Sequence, residues 1–253
     1  MLVLKNNVHI RSAGISYDRP TYIQHTKNNT ANSTITLTKP TTETINNNDL
    51  LIIIVMNDNS SATAQWDNST FKPTGFTFIK TGGDGTSDSH FGIFYRIVDG
   101  SEGATVAVSA QSNSDYVGFY IHIAGANDTT PIVNQGTVTV SIGTPTTAVG
   151  VTGNADDLGI VMSAYDGADG SPFSTSSGSW VWKDNITNGA AATGVLGGFG
   201  LLEYASVNAS NCQVDAPEGT INRPNRFCEY TSTSTVGLPR ESRTSLAWTL
   251  SII

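Results

Sequence analysis

Asp49-Leu50-Leu51-Ile52-Ile53-Ile54-Val55-Met56-Asn57 is the stretch on which the fold turns. Seven apolar residues in a row, three of them consecutive isoleucines, stand between polar Asn and Asp clusters. β-Branched side chains lose rotamer freedom on a helix and pack well on a pleated surface. The run is too short for a helix of ordinary length and far too short to span a bilayer. It predicts a central strand covered on both faces.

On either side of this run the chain reads as short strands between turn residues. Ile35 and Leu37 alternate with threonines before Pro40, and Phe76 and Phe78 alternate in 75–80. Phe91, Ile93, Tyr95 and Ile97 share one face of the next strand, and Val106 and Val108 mark another. In 116–124 the alternation is clearest: Val117, Phe119, Ile121 and Ile123 point one way, Tyr116, Tyr120 and His122 the other. Further strands are predicted at 137–142, 148–152, 158–165, 180–183, 194–204 and 245–253. No window has a helical period and no repeat of fixed length occurs.

This pattern predicts an all-β protein, a two-sheet antiparallel β-sandwich of jelly-roll-like form. Residues 1–30 read as an N-terminal arm with room for one strand. Residues 31–253 read as a single sandwich domain with a loop insertion at about 205–243. Leu246, Trp248 and Leu250 alternate up to Ile253, which places the last strand inside a sheet, with an early strand as its expected neighbour.

Only 13% of the 253 residues are charged, so amides and hydroxyls must wet the surface. The net charge of −8, with basic residues scattered, argues against nucleic acid as a partner and against anionic membranes. The start, Met1-Leu2-Val3-Leu4-Lys5-Asn6-Asn7, turns polar too early for a signal peptide. An extracellular surface style without a signal fits a virus-particle component assembled inside its host. Cys212 and Cys228 lie in the insertion with no further ligands to complete a metal site, which leaves a disulfide or two reduced thiols.

No catalytic set is legible. None of His9, His25, His90 and His122 has a Gly-x-Ser-x-Gly elbow to work with, and His122 reads as a solvated strand residue. Asp115, Asp184 and Glu203 cannot be paired into a glycosidase couple from sequence. Asp84 with Asp88, and Asp166 with Asp169, place carboxylates in glycine turns that suit calcium, but also suit turns alone. The glycine-rich 194–200 lacks the Lys-Ser/Thr of a phosphate loop and reads as a closely packed strand. Trp66, Tyr116, Tyr120, Trp180 and Trp182 form the tentative contact set for a glycan or a protein, the competing reading being that Trp180 and Trp182 face the core. No cofactor is implied.

The order of segments also carries a resemblance. Thr-Ile-Thr-Leu-Thr-Lys-Pro is followed by the apolar run, then Gly75-Phe76-Thr77-Phe78-Ile79, His90-Phe91-Gly92-Ile93-Phe94-Tyr95-Arg96-Ile97-Val98 and Gly100-Ser101-Glu102-Gly103. Tyr120-Ile121-His122-Ile123-Ala124-Gly125 and Ala247-Trp248-Thr249-Leu250 complete it. Over about residues 33–165 and the final strand this resembles β-sandwich modules of tailed-phage structural proteins, including head-decoration and tail-fibre components, and of some bacterial surface proteins. The resemblance supplies no catalytic positions. It implies a non-enzymatic protein on the virion surface, a capsid decoration or head-fibre subunit packing on the major capsid protein or tail proteins. It makes a homo-oligomer, a trimer foremost, the expected state. The alternative is a receptor-binding tail protein or lectin-like module that recognises host-surface glycans.

Overall fold

The computed structural model describes residues 2–4, 7–11, 14–58, 66, 71–83, 90–109, 114–141, 146–148, 152–153, 157–166, 173–175, 180–189, 194–203, 208–209, 212–215 and 245–251. The first half of the chain forms β1 (Leu2–Leu4), β2 (Asn7–Arg11), β3 (Gly14–Asp18), β4 (Thr21–Thr30), β5 (Thr34–Thr38), β6 (Leu50–Asp58), β7 (Thr77–Gly83), β8 (His90–Ile97), β9 (Thr105–Ser109) and β10 (Asp115–Ala124). The second half forms β11 (Ile132–Ser141), β12 (Thr146–Ala148), β13 (Thr152–Gly153), β14 (Leu158–Asp166), β15 (Ser174–Thr175), β16 (Val181–Asn188), β17 (Val195–Glu203), β18 (Asn208–Ala209), β19 (Cys212–Asp215) and β20 (Ser245–Ser251). Every pairing between them is antiparallel. The all-β sandwich expected from the pattern is what forms.

A five-stranded sheet of order β4-β10-β6-β8-β7 lies at the centre. One of its faces packs on a six-stranded sheet of order β1-β11-β20-β14-β17-β16. Leu50, Ile52, Ile54, Met56, Val117, Phe119, Ile121 and Ile123 meet Leu158, Ile160, Met162, Ala164, Phe199 and Leu201 there. Phe119 and Phe199 stand edge to face at 5.0 Å, an arrangement in which ring edge meets ring face.

The other face of the five-stranded sheet is covered as well. The β5–β9 ribbon lays Ile35, Leu37 and Val108 over Leu51, Ile53, Val55, Phe94, Tyr116 and Tyr120, and Trp66 and Phe76 close the layer. Leu50–Met56 are accordingly at most 1% exposed, as the uninterrupted run requires. The molecule thus has two cores, one above and one below a single sheet.

Three sequence expectations change. Residues 1–30 are not all arm: β1 pairs with β11 and β14, and β4 is an edge strand of the central sheet. The face of β10 carrying Tyr116, Tyr120 and His122 is not solvated but buried under the ribbon layer. The last strand, β20, does lie within a sheet, but its hydrogen-bonded neighbours are β11 and β14. Most of the 205–243 insertion lies outside the described residues.

Candidate functional site

β4 and β16 are the edge strands of their sheets, and they run past each other on the same side of the sandwich. An exposed edge offers unpaired backbone groups to any passing strand, and proteins blunt it by several devices. Here the device is side-chain amides and amines. Lys27 Nζ donates to Asn185 O at 2.9 Å, Asn29 Nδ2 to Thr187 O at 2.7 Å, and Asn188 Nδ2 returns to Thr30 O at 2.6 Å. The alternate residues of β4 reach the opposite way. Gln24 Nε2 donates to Glu43 O at 2.8 Å, Asn28 Nδ2 to Thr36 O at 2.8 Å, and the Thr26 hydroxyl to Thr38 O. β4 is a strand with two polar faces, each fastened to a different neighbour.

Two β-bulges interrupt this seam at one end. In β4 the pairing with β10 skips Ile23, so Tyr22 and His25 come to the same face. In β16 the pairing with β17 skips Lys183, so Val181 and Asp184 do likewise. Bulges re-aim side chains in this way and are common beside functional sites. The Tyr22 hydroxyl lies 2.6 Å from His25 Nδ1, and His25 Nε2 lies 2.8 Å from Asp184 Oδ2. The second Asp184 oxygen accepts from Lys27 Nζ at 2.7 Å and from the Asn185 amide at 2.8 Å.

These donors, Lys27 and His25 foremost, hold the Asp184 carboxyl below the usual carboxylate range against the opposing effect of burial. An ionised carboxylate only accepts, so with a neutral ring His25 carries its proton on Nε2 and the Tyr22 hydroxyl donates to Nδ1. Burial first, then the nearby Asp184 charge, push the Tyr22 phenol up.

Hydroxyl, imidazole and carboxylate in line are the ingredients of an acyl-transfer relay. Here the line joins β4 of one sheet to β16 of the other. Burial and the Asp184 charge make Tyr22 hold its proton more tightly than a free phenol. Asp184 is shared with Lys27, which neutralises the charge that would stabilise an imidazolium. The line works as a latch between sheets.

Beyond the latch, where the two bulged edges splay, lies a groove of about 310 Å³ lined by Tyr22, Leu158, Val181, Lys183, Leu201 and Glu203. Leu158 and Leu201 form an apolar floor, 1% and 4% exposed. Val181 is 55% exposed and is the exposed large apolar side chain among the described residues. Lys183 Nζ sits 5.1 Å above the Tyr22 ring. Arg19 approaches Glu203 to 3.9 Å on the rim.

Two other ionisable clusters are structural. His122 Nε2 lies 2.8 Å from Asp49 Oδ2, and its Nδ1 lies 3.3 Å from Gln24 Nε2, all three residues being buried. Asp49 also accepts from the Asn46 amide at 2.8 Å, which ties the 41–49 connection to the sheet. Arg96 bridges Asp99 at 2.8 Å and Glu102 at 3.2 Å, bracing the turn at Gly100 (φ 85°). Asp115 accepts from Asn188 Nδ2 at 3.0 Å at the far end of the seam, and burial pushes its carboxyl up.

The tentative contact set does not form an exposed aromatic platform. Trp66 and Tyr116 are fully buried, Tyr120 is 1% and Trp180 5% exposed. Trp66 rests on Gly92, its ring 6.5 Å from Tyr116, and donates to Ser109 O at 3.1 Å. Trp182 is half-buried over Gly198 and Gly200, 5.6 Å from Phe173. These rings fill gaps left by glycines. His122, read from sequence as solvated, is buried by its bond to Asp49.

Asp84, Asp88, Asp169 and Cys228 lie outside the described residues, as do the side chains of Asp166 and Cys212. No group of three or more His, Cys, Asp and Glu among the described residues could hold a metal ion. The sequence reading missed Tyr22, Lys27, Val181 and Lys183, and left His25, Asp184 and Glu203 without partners. The bulges bring Tyr22 to the face of His25 and Val181 to that of Asp184, and nothing in the local pattern marks a bulge. Compared with protein-family models, with curated proteins and with solved structures, the chain matches none.

Proposed function

We propose that the protein is a structural subunit of a virus particle, displayed on its surface as a capsid decoration or head-fibre component, and that it acts by contact rather than by chemistry. The observation that carries this reading is how the ionisable groups are employed. Asp49 with His122, Asp184 with His25 and Lys27, and Arg96 with Asp99 and Glu102 are each tied into internal joints between strands or turns. A sandwich stitched at its edges and sparing in surface charge suits a subunit that must stay folded and unaggregated outside a cell. The sequence resemblance to tailed-phage modules suggests the particle, and a homotrimer seated on the major capsid protein or on tail proteins is the assembly proposed with it.

The test is quantitative mass spectrometry of purified particles, with this protein counted against the major capsid protein. A stoichiometric, lattice-like copy number is the expected result. A handful of copies would move the protein to the tail, and complete absence would overturn the virion reading.

A further inference from the structure

The groove between the two bulged edges is built differently from the rest of the surface, and we propose that it is a binding site for one acidic sugar residue, a uronate or a sialate. Three demands on the ligand follow from its walls. Val181, 55% exposed over the buried Leu158 and Leu201, asks for an apolar face. The Glu203 carboxylate accepts hydrogen bonds and donates none, so it asks for hydroxyls. Lys183, with no carboxylate partner among the described residues and its ammonium above the Tyr22 ring, asks for an anion.

The charged side chains lining the groove are Lys183 and Glu203, one of each sign, with Arg19 3.9 Å from Glu203. The neighbouring Asp184 carboxylate is engaged by Lys27 and His25 rather than by Lys183. A fatty acid meets the first and third demands but brings no hydroxyls for Glu203. A phosphate has no apolar face. An acidic pyranose meets all three: ring C–H groups against Val181, hydroxyls to Glu203 and carboxylate to Lys183.

The edges here are also poor docking places for a strand. The bulge at Lys183 breaks the ladder, and the carbonyls of Asn185 and Thr187 further along are already occupied. What remains accessible is a pocket large enough for a small ring, with Tyr22 of its wall tied through His25 to Asp184. The test of this site uses the purified chain in solution and leaves the copy-number result untouched.

The measurement is saturation-transfer NMR followed by calorimetric titration with trigalacturonate and 3′-sialyllactose, and with maltotriose and lactose as neutral controls. One of the acidic probes should bind and the neutral ones should not. Lys183→Ala should weaken binding about tenfold or more, since it removes a charge-assisted bond. Lys72→Ala, which removes the same charge from another exposed loop position, should leave binding unchanged. Val181→Asp should abolish binding with the fold intact by one-dimensional NMR. Equal binding of neutral and acidic sugars, indifference to Lys183→Ala, or silence from both acidic probes at millimolar concentration overturns the proposal. Silence from both with binding of a glutamate-rich peptide overturns it in favour of a protein partner.

Discussion

Gly197 sits where β17 comes down on the central sheet: a Cβ there would lie 2.5 Å from Met56 Sδ and 2.6 Å from Val117. Gly197→Ala is therefore an overpacking change, expected to cost about 1–3 kcal/mol in denaturant unfolding. Asp49 is the matching case for polar groups. Asp49→Ala leaves the buried His122 Nε2 without its acceptor and should cost about 1–3 kcal/mol, with His122→Ala adding much less in the double variant. Tyr120 belongs to the same scale. Burial pushes its phenol up to about 12 from 10.0, with Glu102 adding to the effect. The protonated form is thus favoured by folding, so this stability is whole below pH 10.0 and is lost as the pH rises towards about 12. Tyr120→Phe should flatten that alkaline limb in a plot of unfolding free energy against pH.

Among elements, β4 explains what could and could not be read from sequence. β6 and β10 announce themselves because an apolar face always points to a core, and the run from Leu50 to Met56 identified the central strand directly. β4 has polar residues on both faces because both faces fasten edges, so the alternation carries no apolar signal and the strand reads as an arm. The candidate site was illegible for a related reason: Tyr22 with His25, and Val181 with Asp184, share a face only because Ile23 and Lys183 are skipped in pairing. Burial of the aromatics was legible only in part: Trp180 and Trp182 carried a core reading as the alternative. Tyr116 and Trp66 look like surface residues until the layer that covers them is known.

The seam makes its own prediction. With the Asp184 pKa lowered, its contribution is present above the ordinary carboxylate value of 3.8 and lost as pH falls through the lower folded value. Asp184→Asn should remove that part of the acid limb and leave the neutral-pH melting curve less stable than the parent.

For the molecule as a whole, two cores share one sheet but have different covers. The inner core lies between large sheets, and the outer core lies under a two-stranded ribbon and connecting segments. Local opening follows the weaker cover. In hydrogen exchange followed by mass spectrometry, amides of β5 and β9 should exchange well before those of β6 and β10. Simultaneous exchange of all four would show one cooperative unit instead.

The position of β6 in the chain has a consequence for synthesis. Leu50–Met56 emerges from a ribosome long before β10 can flank it and before β17, which ends at Glu203, can complete its inner cover. At translation speeds of about 5–20 residues per second the interval is roughly 7–30 s. For that time the nascent chain displays an apolar, uncharged, β-prone heptad, the composition that nucleates cross-β stacking. Fragments that stop short of β17 should collect in the insoluble fraction, and the intact chain's yield should depend on holdase chaperones more steeply than its final stability suggests.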